Sequence, residues 1–140
     1  MNTANPDKHI RKEIYDRLHN SEVNTLTFKC YDTNVTSAND NQYFLIGTQL
    51  NQPNRTKCNR GWLNSTEIQV VVRTKKNTGS RVLLDDAVDH VLTELDSFSL
   101  PVLSGMKVSL SEISIENELV EDTQSEIFYT KILRIETTIN

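Results

Sequence analysis

The sequence contains no apolar run long enough to cross a bilayer as a helix, and its first residues, Met1-Asn2-Thr3-Ala4-Asn5-Pro6, lack the basic and apolar regions of a secretory leader. Neither a membrane span nor a signal peptide is expected, and the protein reads as one made and used inside a cell. Cysteine is scarce. Cys30 and Cys58 form neither a CxxC pair nor a zinc-ligand spacing. They can bond to each other only if the fold brings them together, and two reduced thiols are expected. His9, His19 and His90 fall in no HExxH or HxH pattern, and there is no GxSxG, P-loop or GxGxxG. Gly47, Gly61, Gly79 and Gly105 stand isolated, which suits turns and strand ends rather than a phosphate cradle. Without a nucleophile or an acid–base set able to converge, catalysis is not expected. No catalytic, cofactor-binding or metal-binding residue is assigned. A basic stripe is missing too: the net charge is −4, with both signs scattered along the chain. Such a surface repels DNA at close range, as suits one that DNA must pass without sticking.

What is present fits one domain spanning residues 1–140, large enough to bury roughly two-thirds of its unfolded surface in a single core. The apolar fraction of 36% is low, so much of each element should be wet or meet a partner through polar contacts. Asn5-Pro6-Asp7 starts a helix, with a capping Asn, Pro at the first helical position and Asp at the positive end of the dipole. Ile10, Ile14 and Leu18 give it a narrow apolar stripe, and it should end near His19-Asn20. Leu26, Phe28 and Cys30 alternate as in a strand, and Tyr43 to Thr48 is a short, more buried strand. Residues 49–65 form a polar stretch with Pro53, Gly61 and few apolar anchors, read as a functional loop or an extended β-arm.

Ile68, Val70 and Val72 then face one side of a strand, against Glu67, Gln69, Val71 and Arg73 on the other. One side is dry and one mostly polar, as in an antiparallel sheet covered on a single face. A helix from about Ser80 to Leu95 carries Leu84, Ala87, Val88, Val91 and Leu92 as a broad core stripe. Residues 97–104 read as a connection. Apolar parity switches between Val108/Leu110 and Ile113/Ile115, which predicts a β-bulge near Ser111-Glu112. Residues 117–124 read as an acidic turn, followed by a final strand over 127–135. The fold class is α+β: a mainly antiparallel sheet with two helices packed on one face, in the order α-β-β-(arm)-β-α-β-β.

Several residues admit two readings. Asp86 and His90 stand four apart on the second helix, and a solvated contact is expected rather than a metal or acid–base pair. Glu116, Glu118, Glu121 and Asp122 cluster, but their spacing is not that of an EF-hand loop. Asn34-Val35-Thr36, Asn54-Arg55-Thr56 and Asn64-Ser65-Thr66 match the glycosylation pattern and read as chance matches without a secretory route. Tyr31-Asp32 reads as a structural turn. Trp62 anchors the arm either on its own core or on a neighbouring subunit. Arg55, Lys57 and Arg60 either solubilise the arm or meet acidic patches on an adjacent subunit. These four form the candidate subunit or tube interface.

The order and spacing of these elements resemble the tail-terminator (tail-completion) proteins of long-tailed bacteriophages. The likeness runs from the amphipathic helix through Tyr31-Asp32, Tyr43-Phe44-Leu45-Ile46-Gly47, the polar insertion, the strand Thr66 to Arg73 and the Leu84 to Leu95 helix. It continues into the antiparallel pair from Ser111-Glu112 to Thr138. This sequence departs from the common pattern in lacking a Pro before Tyr43-Phe44 and in its Asn-rich arm. The resemblance implies a homo-hexameric ring on the head-proximal end of the tail tube. Its partners would be the tail tube protein and a head-completion or connector protein, with DNA passing through the lumen without specific binding. It implies a virion location at the tail–neck junction, assembly in the bacterial host cytoplasm, and no cofactor. A head-side neck or connector protein is the alternative. A nucleic-acid-binding module is disfavoured by the acidic balance.

Overall fold

The computed structural model describes residues 6–32, 41–55, 60–75, 81–95, 99–103, 106–122 and 125–139. Helix α1 (Pro6–Leu18) has Pro6 at its first position and Asp7 in its first turn, as expected, while Asn5, read as its cap, lies outside the described residues; the helix buries Ile10, Ile14 and Leu18 completely. It stops because Asn20 takes a left-handed conformation (φ 58°), a common way to end a helix. A short hairpin follows, with β1 (Ser21–Val23) antiparallel to β2 (Leu26–Tyr31). Its turn is Asn24-Thr25, and both residues have positive φ (51° and 70°). Two positive φ values give the primed turn that matches strand twist. Asn tolerates this conformation, whereas β-branched Thr25 is strained by roughly 1–2 kcal/mol. Thr25→Gly is expected to stabilise the protein by about 1 kcal/mol, which urea unfolding would register as a higher midpoint at unchanged slope.

Strands β3 (Gln42–Arg55) and β4 (Arg60–Lys75) form one long antiparallel hairpin, with a register shift between Ile46 and Gln49. Residues 49–65 are thus regular sheet wherever they are described. Pro53 is tolerated in β3, whose outer side has no strand partner at that level among the described residues. Helix α2 (Val82–Leu95) buries Leu84, Ala87, Val88, Val91 and Leu95. The chain closes with β5 (Ser99–Leu103), β6 (Met106–Asp122) and β7 (Glu126–Ile139). Among the described residues the strands form one seven-stranded sheet in the order β1-β2-β3-β4-β7-β6-β5. Only the β2–β3 pairing is parallel.

Side-chain alternation decides where the core sits. Ile68, Val70 and Val72 of β4 point to the same side as Phe44 and Ile46 of β3, Leu133 and Ile135 of β7, and Phe28 and Cys30 of β2. Both helices lie on this side and join the same buried cluster. Phe28 and Phe44 stack at its centre, 4.9 Å between ring centroids. Cys30 is a free, buried thiol; desolvation, aided by the charge of Asp32, pushes its pKa up to about 12. It stays protonated and inert near neutral pH. Cys58 lies outside the described residues.

The α+β class and the two helices on one face are as the sequence predicts. Three stretches differ. The connection read over 97–104 contains β5, and the Ser21–Val23 strand is additional. The acidic stretch read as a turn from residue 117 is still strand until Asp122. The anticipated bulge is found between Leu110 and Glu112, and a second one lies between Ile115 and Asn117.

Candidate assembly surfaces

The base of the β3–β4 hairpin is held by polar groups rather than by apolar packing. Asn64 and Thr66 are fully buried, yet each has partners. The Asn64 Nδ2 donates to Asp7 Oδ1 at 2.9 Å and to Asn51 Oδ1 at 2.6 Å. Asn51 Nδ2 also donates to Asp7 Oδ1, and the Thr66 hydroxyl donates to Asn64 Oδ1. Gln49 Nε2 completes the set by donating to the Asp7 carbonyl and to Thr66 Oγ1. The first turn of α1 is thereby pinned to the root of the hairpin. Satisfied buried networks of this kind rigidify, because leaving any member unpaired costs its full desolvation.

Arg11 performs a second fixing role. Its guanidinium donates to the carbonyls of Ile46, Gly47 and Asp32 and to Gln49 Oε1. The register shift in β3 leaves carbonyls there that the ladder does not use, and a planar five-donor head can gather them. Arg11 therefore fastens α1 to β3 just past the point where its pairing with β2 ends, while β3 continues beside β4.

β2 pairs with β3 only at Tyr43, Phe44 and Leu45. Among the described residues no strand pairs with the outer side of β3 beyond Leu45. On the opposite side β5 pairs with β6 only through Met106, Val108 and Ser109. The outer side of β6 beyond Ser109 likewise has no strand partner among the described residues. Unpaired N–H and C=O groups in a strand edge are a template for another strand. Large apolar side chains are exposed beside both edges: Leu50 on β3, and Ile115, Leu119 and Val120 on β6.

The sheet face turned away from the helices carries a shallow trough of about 330 Å³, lined by residues including Leu50, Leu63, Glu116 and Arg134. There Arg134 donates to Ser65 Oγ at 2.7 Å and pairs with Glu116 at 3.2 Å. Near the far end of β6, Arg81 before α2 and Lys131 of β7 both meet Glu118. The partly exposed Arg134–Glu116 and Arg81–Glu118 pairs contribute little to stability, each about 0–1 kcal/mol.

The candidate interface residues are only partly gathered by the fold. Arg55 and Arg60 are cross-strand partners at the closing end of the hairpin. Trp62 pairs with Pro53 of β3 and with Ile139 of β7, so its backbone belongs to the sheet. Lys57 lies outside the described residues. Because β7 accompanies β4 as far as Trp62, the hairpin extends past β7 only at its tip. Sequence reasoning missed Asp7, Arg11, Asn51 and Asn64 as the residues that hold the hairpin. The i,i+4 reading of Asp86 and His90 is replaced by another contact: Asp86 accepts from Asn24 of the β1–β2 turn. His90 Nε2 is buried without a hydrogen-bond partner among the described residues. No group of three or more His, Cys, Asp or Glu among the described residues could hold a metal ion. No helix among them is long and apolar enough to cross a membrane.

Comparison with known proteins returns little. No protein-family model matches the chain, and no curated protein matches it. One solved structure similar to it is titled "Virion of native gene transfer agent (GTA) particle". That likeness has 13% sequence identity, covers 78% of each chain and has a TM-score of 0.43. At that score it carries no functional argument.

Proposed function

We propose that this chain is a structural protein of a long-tailed phage, acting as a tail terminator. Six copies form a ring on the head-proximal end of the tail tube, end polymerisation of the tube protein and present the surface that the head engages. The observation that carries this reading is a single sheet in which, among the described residues, long stretches of two dissimilar strands on opposite sides, β3 and β6, have no outer partner beyond the short strands β2 and β5. A subunit with two different complementary edges makes heterologous contacts, and these close into a ring when the rotation between copies divides a full turn. The order of helices, long hairpin and closing strands supports the tail-terminator resemblance. Arg55, Lys57, Arg60 and Trp62 are the residues proposed to reach a neighbouring subunit or the tube. The protein would sit at the tail–neck junction of the virion after assembly in the host cytoplasm, and need no membrane or cofactor. DNA would pass its lumen unbound, in keeping with the net charge of −4.

Deleting the gene is expected to give overlong tails without heads, visible by negative-stain microscopy of lysates. Headless tails of normal length would instead assign the chain to the head-side connector. Normal infectious particles would overturn both readings.

A further inference from the structure

We infer that the open edge of β6 receives the open edge of β3 from a second copy of this chain, antiparallel, with Leu50 opposite Leu119. This rests on the ring reading and names which surface of the neighbour the hairpin meets. Strand direction comes first. β3, β4, β7 and β6 alternate, each antiparallel to the next, so β3 and β6 run in opposite directions. A copy added beside β6 by rotation, without being turned over, therefore presents β3 antiparallel and keeps its helices on the same side of the sheet.

Charge then selects this partner over the symmetrical one. The segment from Glu112 to Asp122 carries Glu112, Glu116, Glu118, Glu121 and Asp122 and no lysine or arginine. Glu116 already meets Arg134, and Glu118 meets Arg81 and Lys131, but two β6 edges would still add carboxylates to carboxylates with no further base between them, which disfavours a β6–β6 dimer. The β3 segment from Thr48 to Arg55 has no acidic residue and ends in Arg55. Heterologous pairing thus avoids the repulsion and brings the basic end of the hairpin alongside the Glu112 to Glu116 stretch.

Side-chain parity sets the register. Leu50 pairs with Ser65 and Leu119 with Thr130, and all four point to the sheet face without helices. Both leucines are more than half exposed in the single chain, at 55% and 52%. Setting them opposite each other buries both and aligns Gln49 to Gln52 with Asn117 to Val120, beyond the second bulge. The pairing stops at Pro53, which has no N–H to donate. The two open stretches lie toward opposite ends of the sheet, so this register staggers neighbouring copies. Stagger is what closing a sheet on itself requires.

The test is disulfide trapping in full-length protein with Cys58→Ser. The variant Leu50→Cys with Leu119→Cys, oxidised and run on a non-reducing gel, is expected to give a ladder from dimer upward. Each single variant should remain uncross-linked, because directly opposed residues in an antiparallel pair lie within disulfide range and like edges do not meet. Mass photometry on the same samples separates the outcomes. Oligomers without a ladder would overturn the edge pairing and leave the ring reading standing. A dimer from Leu119→Cys alone would show β6 meeting β6 and overturn the inference. Monomers under every condition, with tail tubes present, would overturn both.

Discussion

Joining Gln52 directly to Leu63 through Asn-Gly is expected to give a folded protein that no longer forms rings. The two residues are cross-strand partners, and a two-residue Asn-Gly turn suits strand twist, so the shortened hairpin can close. The deletion removes Arg55, Lys57, Arg60 and Trp62 together. It spares the network of Asp7, Asn51, Asn64 and Thr66 and the whole helix-covered core. Far-UV circular dichroism should therefore change little. Assembly should weaken by more than a hundredfold, since losing about 3 kcal/mol of contact already shifts an equilibrium that far. Mass photometry would report monomers where the parent chain is expected to give rings. Persistent rings would show that the tip of the hairpin is not part of the contact.

Phe44→Ala is expected to have the largest effect on stability, about 3–5 kcal/mol. The ring is fully buried and stacks on Phe28 under both helices, and neither partner touches water. Removing it costs the transfer of the ring, the cavity left behind and an aromatic pairing of roughly 0.5–1.5 kcal/mol. A domain of this size holds about 5–15 kcal/mol in all, so the variant should sit near its unfolding limit. Breaking the exposed Lys12–Asp16 pair should by contrast leave the midpoint within error of the parent. Urea titration of the two variants would check the ranking. A Phe44→Ala midpoint within error of the parent would mean that the core described here is wrong.

The ordinary rules of periodicity were enough wherever one face is dry. Leu84, Ala87, Val88 and Val91 define α2, and Ile68, Val70 and Val72 define the buried side of β4. The parity switch in β6 located a real bulge, because a strand must keep its apolar side chains on one face or break the ladder. Two stretches hid from the same rules. Residues 117–122 lie in a part of β6 whose outer side has no strand partner among the described residues, where charge is tolerated and often used; in the sequence this looks like a turn. Residues 49–52 and 63–66 look like loop because their amides and hydroxyls satisfy one another and Asp7 rather than packing on carbon. No local pattern shows that a residue near the start of the chain supplies the shared acceptor. Both stretches belong to the surfaces proposed for assembly, and there sequence and structure differ most, since a strand with one unpaired side reads locally like a loop.

The most direct test of the account is the mass and symmetry of the purified full-length protein, alone and with assembled tail tubes, by mass photometry and negative-stain microscopy. Rings of six copies, capping one end of the tube, are expected. Monomers alone, even with tubes in excess, would contradict it.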